Sequence, residues 1–448
     1  MSSNSNSNSN SNLKIYAICL DAYPETPELI KVMNEKKLQR SELICAGAFT
    51  CSTITSMISG CIGTEIIDGG IGYNTMYHPQ FLKWRASNCL VERLATENLG
   101  VWVHNQIPWF SRVVGGKFIA EDDQKSSYRE HTVDNKGIQI LGNTAPFGVM
   151  KQESNTNLVY TSTNPDITLN TFLKWNFPEE KNKFYSNEKQ FIKYIQHQKY
   201  NGVILTDLGH WHEYVYYKDG QIKSGTPITK QDALGDMLKW LDNWDFNEPN
   251  SIFFIFADHS HRVNSYLDPQ SYVTWAYYKD NTNSSSKINP IISSNDFYYL
   301  VENKFNLKSR PIIKPKWLSN PIGSYNPNRI YAIEDGRAGS SIKDKAHAFG
   351  RCTVLNDNTF LLVTKLTDST TFPAKIYVIV STLANKYNFT AYLYDNLDSV
   401  ANNYVDHFSI KCDGPLGDRI TVKDKPLFNL TPEIISKAKD LYKLILKN

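Results

Sequence analysis

A hydroxyl, several acidic residues and a set of histidines stand where chemistry is to be expected in this chain. Thr50 lies in Gly47-Ala-Phe-Thr-Cys-Ser-Thr-Ile-Thr-Ser-Met-Ile-Ser-Gly60, after a strand-like run from Ser41 to Ala46. Ser56-Met57-Ile58 reads as the body of a short helix that Gly60 can end in the left-handed conformation. A hydroxyl at such a strand-to-helix junction serves as a plain N-cap. It also suits a nucleophile attacking an anionic ester, because a helix start holds an anion. Asp258-His259 follows the most apolar run of the chain, Ser251–Ala257, and Asp21 follows another, Leu13–Leu20. A carboxylate and an imidazole held side by side can ligate one divalent ion, and Asp21 offers a further ligand. The ion would lower the pKa of the Thr50 hydroxyl and polarise the ester oxygen. A second cluster, Asp207-Leu-Gly-His210-Trp-His212, could hold another ion or protonate a leaving group, and spacing does not choose between His210 and His212. His261 and His347 are weaker candidates that read first as surface residues, with His347 retained as a metal ligand.

The elements that must position these groups alternate. Thr26-Pro27-Glu28 opens a helix carrying Leu29, Ile30 and Val32. Asn88 to Glu97 and Glu188 to Gln198 read as helices, and Thr229 caps another bearing Leu234, Met237, Leu238 and Leu241. Val101–Val103 and Gly202–Thr206 are short strands ending at His104 and Asp207. Strands alternating with helices predict an α/β fold with a large, mainly parallel sheet flanked by helices. Ligands of such sheets bind off the carboxyl ends of the strands, where Asp21, Thr50, His104, Asp207, Asp258 and His259 would converge. The segments 105–187 and 260–328, rich in Asn, Ser, Lys and Tyr, read as loops walling the cleft. From about Arg329 three short strands (359–364, 375–380 and 390–394) and a Thr431-capped amphipathic helix predict a small antiparallel α+β subdomain. The division expected is a disordered Ser-Asn tail over 1–12, a catalytic α/β domain over 13–328 and the subdomain over 329–448.

Charge and composition narrow the class. A formal charge of +3 on 448 residues gives no case for nucleic acid. No apolar run approaches a membrane span, and the polar start is no signal peptide, so a cytoplasmic or intracellular setting is expected. Seven scattered cysteines without CxxC spacing read as reduced thiols.

Several stretches resemble the sulfatase family of the alkaline phosphatase superfamily. Leu20-Asp21 with Thr26-Pro27-Glu28-Leu29 is similar to the family's first metal-binding acid and its "TPNLDRL" helix. Ser56-Met57-Ile58-Ser59-Gly60 resembles the "SLLTG" end of the nucleophile helix, and Leu90–Leu94 before Gly100 the "LAERLKEAGY" helix. Ile255-Phe256-Ala257-Asp258-His259 resembles the "FTSDHG" metal motif, and Ala391–Asn396 with Asn402-Asn403 the "ELYDL…NL" segment. The departures are informative. Sulfatases carry Cys or Ser in C-x-P-x-R and oxidise it to formylglycine. Here the register puts Thr50 at the nucleophile position; taking Cys51 instead leaves Thr53 for the proline and Thr55 for the arginine. Ala22 stands where the family has a second acid. The resemblance thus implies the phosphodiesterase, nucleotide pyrophosphatase and phosphoethanolamine transferase branches. Those hold zinc, commonly two ions, with ligands like Asp21, Thr50, Asp258 and His259 at one and an Asp-plus-His set at the other. The expectation is a metal-dependent hydrolase or transferase of phosphate esters, acting on a small-molecule, glycan- or lipid-linked anionic ester through a covalent threonine. Zinc is the expected ion, with manganese or calcium as alternatives. The competing readings are a sulfuric ester hydrolase using Cys51 and a catalytically silent fold used for binding.

Overall fold

The computed structural model describes residues 13–48, 50–66, 89–90, 93–94, 97, 99–105, 116–119, 130–133, 138–143, 192–193, 196–197, 201–208, 211, 229–260, 267–282, 286–308, 315–335, 348–356, 358–366, 375–397 and 403–447. Its first sheet contains β1 (Lys14–Leu20), β2 (Gln39–Ile44), β3 (Gly100–Asn105), β6 (Ile138–Asn143), β7 (Gly202–Leu208), β8 (Ser251–Phe256), β9 (Val273–Asp280) and β10 (Ile291–Ser293). β4 (Gly116–Ile119) and β5 (Glu130–Val133) pair separately. The spatial order is β10-β2-β9-β8-β1-β7-β3-β6. β8, β1, β7, β3 and β6 run parallel, β2 runs parallel to β10, and β9 is antiparallel to both of its neighbours. Because β9 reverses direction twice over, β2 points the same way as β8. The carboxyl ends of β1, β2, β7 and β8 therefore share one edge of the sheet.

Side chains alternate across the pleat, and β1 is buried on both faces. Ile15, Ala17 and Cys19 pack with Ile54, Met57 and Ile58 of α2 (Thr50–Ser59) and with Phe297, Leu300 and Val301. Tyr16, Ile18 and Leu20 pack with Leu29 and Met33 of α1 (Pro27–Glu35) and with Ala233, Met237 and Trp240 of α4 (Lys230–Leu241). Helices on both faces explain why the central strands read as unbroken apolar runs. The caps form where the sequence puts them. Thr26 accepts from the Leu29 amide at 3.2 Å, and Thr229 and Asp232 form a reciprocal capping box. Gly60 closes α2 at φ +72°, a region that favours glycine. The short helix α3 (Gly63–Ile66) follows.

The second sheet has the order β11 (Ile330–Asp335), β12 (Ala348–Val354), β13 (Thr359–Leu366), β14 (Ile376–Thr382), β15 (Phe389–Tyr394), β16 (Asp406–Cys412), β17 (Arg419–Val422), all antiparallel. Ile434, Ala438, Leu441 and Ile445 of α6 (Pro432–Leu446) cover one face. The other face, through Tyr331, Ile333, Phe360 and Ile379, shares a core with Ile44, Leu267, Tyr272 and Val273 beside the first sheet.

The α/β architecture and the added antiparallel sheet match the expectation; several local readings need correction. Within 260–328, read as loop, stand β9, β10 and α5 (Asp296–Phe305). The stretch 105–187 contributes β4, β5 and the sheet strand β6. The second sheet has seven strands rather than three. β7 does not stop before Asp207 but runs to Leu208, because the ladder continues through the Asp21 amide to the Leu208 carbonyl at 3.0 Å. β3 likewise extends through His104 and Asn105, which pair with Thr206 and Asp207. Among the described residues no helix is long and apolar enough to cross a membrane.

Candidate metal centre

The site is built at the shared edge. β1 hands the chain to Asp21 and β8 hands it to Asp258-His259 one strand away. β2 arrives from beyond β9; its exit is tied to the residue that leads into β9, and β9 in turn is tied to the exit of β8. The Cys45 amide donates to the Tyr272 carbonyl at 2.7 Å, and the Thr274 hydroxyl donates to the Ala257 carbonyl at 2.7 Å. The exit then passes beneath β11, where the Glu334 amide donates to the Ala46 carbonyl at 2.6 Å. Gly47 is required there, since a Cβ would stand 2.5 Å from the Ser52 Cβ and 2.6 Å from the Glu334 carbonyl. This turn delivers Thr50 as the first residue of α2.

Asp21, Asp258 and His259 are fully buried and Thr50 is 2% exposed. The Thr50 Oγ1 lies 3.2 Å from His259 Nε2 and donates to Asp21 Oδ2 at 3.5 Å. His259 Nε2 lies 3.4 Å from Asp21 Oδ1 and 3.5 Å from Asp258 Oδ2. Two of the donors, His259 and Asp258, are held from behind. His259 Nδ1 is 2.9 Å from the Ser260 carbonyl, so that nitrogen carries a proton and Nε2 faces the cluster. Asp258 Oδ1 accepts from the Ala22 amide at 3.1 Å, and its carbonyl accepts from the Thr53 hydroxyl at 2.8 Å.

These residues fit a divalent ion. The donor atoms of Asp21, Asp258 and His259 all lie within 4.8 Å of one another. Tetrahedral ligands at about 2.0–2.1 Å from zinc stand about 3.3–3.4 Å apart, which is the spacing seen between His259 Nε2 and its three neighbours. Asp258 Oδ2 is buried with no hydrogen-bond donor among the described residues. Two buried carboxylates against one imidazole leave negative charge that is costly without a cation. Burial alone would press the His259 ring toward neutrality, but the Asp258 carboxylate, then Asp21 and the Ser260 carbonyl, outweigh it and raise its pKa to about 9. The nearby Cys45 thiol is pushed by burial up to about 12 and offers no competing thiolate.

The His259 shift yields a signed pH dependence. Below about pH 9 the ring holds a proton that an ion must displace, so apparent affinity for zinc is expected to rise about tenfold per pH unit from pH 6 to 8 and to level off only above about pH 9. Competition titrations at each pH, with calorimetry in two buffers to count the released proton, check this. An affinity flat between pH 6 and 9 would show that His259 is not a ligand.

Of the residues singled out from sequence, Asp21, Thr50, Asp258 and His259 come together. The backbone of Asp207 sits in β7 opposite Cys19 of β1, while its side chain lies outside the described residues. His210, His212 and His347 also lie outside them, as does the Cys51 side chain. Glu334 was not legible as a site residue. It is buried, accepts from the Thr64 amide at 2.6 Å and also binds the Thr64 hydroxyl, and burial raises its pKa to about 7 against the effect of those bonds and of Arg351. No local pattern could have found it, because it reaches the turn before Thr50 only through a strand 270 residues along from Thr64.

No family model matches this chain, and no curated protein sequence does. Solved structures do. A protein of the alkaline phosphatase superfamily from Vibrio parahaemolyticus is 11% identical with a TM-score of 0.43, covering 98% of this chain and 86% of its own. The lipoteichoic acid synthase LtaP from Listeria monocytogenes is 10% identical with a TM-score of 0.42, over 98% and 91% of the two chains. The C-terminal periplasmic domain of EcEptC from Escherichia coli, in complex with zinc, is 9% identical with a TM-score of 0.37, over 75% and 92%. The first of these is of the superfamily whose motifs the sequence resembles. At such TM-scores the likeness concerns the path of the chain; what the site can do is read from its own atoms.

Proposed function

We propose that the chain is a metal-dependent phosphate-ester hydrolase or transferase, acting on diesters in preference to monoesters, with Thr50 as covalent nucleophile. The observation that carries the reading is the buried Thr50 hydroxyl in reach of both His259 Nε2 and Asp21 Oδ2, at the start of a helix. Asp21, Asp258, His259 and Thr50 would hold the ion, zinc by preference, with manganese or calcium as alternatives. When bound, it supplies a lowered pKa for the hydroxyl and positive charge beside the phosphoryl oxygens. Thr50 Oγ1 then forms the bond to phosphorus as the bond to the leaving alcohol breaks, giving a phosphoryl-threonine that water cleaves. Ala22, Thr53 and Ser260 keep the carboxylate and the ring in position throughout. The α2 N-terminus favours the anionic group through its dipole. Asp207 with His210 or His212 would serve the leaving group or a second ion. In this reading residues 13–328 carry the chemistry and 329–448 form the added subdomain.

A hydrolysis screen with aryl phosphate diesters, aryl phosphate monoesters and aryl sulfate, each with zinc, manganese and calcium, tests the proposal. Turnover is expected to be greatest on the diester with zinc. Turnover on the sulfate alone, with formylglycine at Cys51, would replace this reading by the sulfatase one. Failure on all three in metal-loaded protein would leave the binding role.

A further inference from the structure

The segment that carries Thr50 is an excursion from the first sheet whose two ends lie within reach of a single residue. It departs at Ala46, runs through α2 and comes back at Thr64 in the first turn of α3. At its neck Ile62 packs with Ala46 and with Ala332 of β11 in one small buried cluster, against partly buried Trp317. Two residues beyond Ala332, on the same face of β11, stands Glu334, which is 4% exposed.

Glu334 holds the departing chain through its backbone and the returning chain through its side chain. Its amide donates to the Ala46 carbonyl at 2.6 Å, and its carbonyl lies so close to Gly47 that a Cβ there would stand 2.6 Å away. On the other side of the same turn the Ala46 amide donates to the Ser294 hydroxyl at 3.1 Å, which also meets the Ser56 hydroxyl of α2 at 2.6 Å. The Glu334 carboxylate accepts from the Thr64 amide at 2.6 Å and from the Thr64 hydroxyl. The charged groups facing it are Arg351 of β12, whose guanidinium lies 4.7 Å from the Trp317 ring centre, and Glu65 of α3. An apolar residue would fill this place at less cost, since burying a carboxylate is expensive. What the carboxylate adds is a pair of bonds to one residue of the returning chain.

We infer that Glu334 is a positioning residue for Thr50: by pinning Ala46 and Thr64 to one strand of the second sheet, it fixes the turn that aims the Thr50 hydroxyl at the cluster. The inference deepens the ester-hydrolase reading and rests on it. Only Gly47, Ala48 and Phe49 separate Ala46 from Thr50, so a shift at the neck is passed on to the hydroxyl. Thr53 ties the body of α2 to the Asp258 carbonyl at 2.8 Å, which leaves the approach to Thr50 to be set from the neck. The second sheet thereby takes a part in the chemistry without contributing a ligand.

The test reads zinc affinity, by competition titration, in a cycle of Thr50→Ala, Glu334→Leu and the double variant of the full chain. Glu334→Leu removes both acceptors while filling the space. Each single variant is expected to lower zinc affinity about tenfold. The double variant is expected to match Thr50→Ala within about twofold, because Glu334 acts through Thr50. Additive losses would reduce Glu334 to general support of the fold and overturn the assignment, as would an unchanged affinity in Glu334→Leu. Glu334→Gln can accept from the Thr64 amide and donate to its hydroxyl, so it is expected to recover the affinity of the wild type; a loss as large as that of Glu334→Leu would overturn the latch. Should Glu334→Leu not fold, Thr64→Ala, at a half-buried position, takes its place in the cycle with the same expected non-additivity. Thr50→Ala that leaves both zinc affinity and diester turnover unchanged would instead overturn the ester reading, and with it the positioning role.

Discussion

Thr50→Ala is expected to lower turnover of an aryl phosphate diester by roughly a thousandfold or more, whereas Cys51→Ala leaves most of it. The argument is one of position. Thr50 Oγ1 is buried 3.2 Å from His259 Nε2 and within 3.5 Å of Asp21 Oδ2. Consecutive residues on a helix point about 100° apart, so the residue after Thr50 cannot present its own nucleophile to the same donors. A hydroxyl that forms the covalent bond has no substitute within the cluster, and loss of a covalent nucleophile commonly costs orders of magnitude. Thr50→Ser keeps the oxygen and is expected to retain measurable turnover, which separates loss of the hydroxyl from loss of packing. The measurement is steady-state kcat/KM on zinc-loaded protein of each variant. An active Thr50→Ala protein would mean that the attacking group lies elsewhere.

The second large effect concerns the ion. Asp258→Asn preserves the shape of the side chain and its acceptance of the Ala22 amide, while removing the charge opposite His259. Zinc affinity is expected to fall at least about a hundredfold. The readout independent of turnover is thermal stability. An ion that binds only the folded chain adds about 2.7 kcal/mol at one hundred times its dissociation constant, so zinc should raise the melting temperature of the wild type and leave that of Asp258→Asn nearly unmoved. A variant stabilised by zinc as strongly as the wild type would place the ion elsewhere.

Much of the site was legible because its residues follow strands whose apolar runs are hard to mistake. Leu13–Leu20 and Ser251–Ala257 are buried on both faces, so their ends are marked by the first acidic residue, Asp21 or Asp258. The rule that ligands gather at the carboxyl ends of a parallel sheet then brought Thr50 to them. The caps at Thr26, Thr229 and Thr431 carried their own local signals. What escaped reading lacked such signals. β9 is the antiparallel strand of the first sheet, and its Val273-Thr-Trp-Ala-Tyr-Tyr-Lys-Asp280 has no clean alternation and only a short apolar run set between polar stretches. α5 begins at Asn295 without a side-chain cap. β16 and β17 are partly exposed, so polar residues interrupt them. Glu334 and Lys386 acquire their places only through contacts between distant segments: Lys386 meets Glu42 across 344 residues. Asp207 could be located in the sheet, paired through its backbone with the strand that leads to Asp21, but its expected partners His210 and His212 lie outside the described residues.

The central claim, a covalent threonine in a buried metal cluster, is tested most directly by rapid acid quench of zinc-loaded protein during turnover of an aryl phosphate diester, followed by peptide mass spectrometry. The account predicts a phosphoryl group on the peptide containing Thr50, assigned to that residue by fragmentation and absent from Thr50→Ala. A phosphoryl group on any other residue, or turnover with inversion at phosphorus and no covalent adduct, would contradict it.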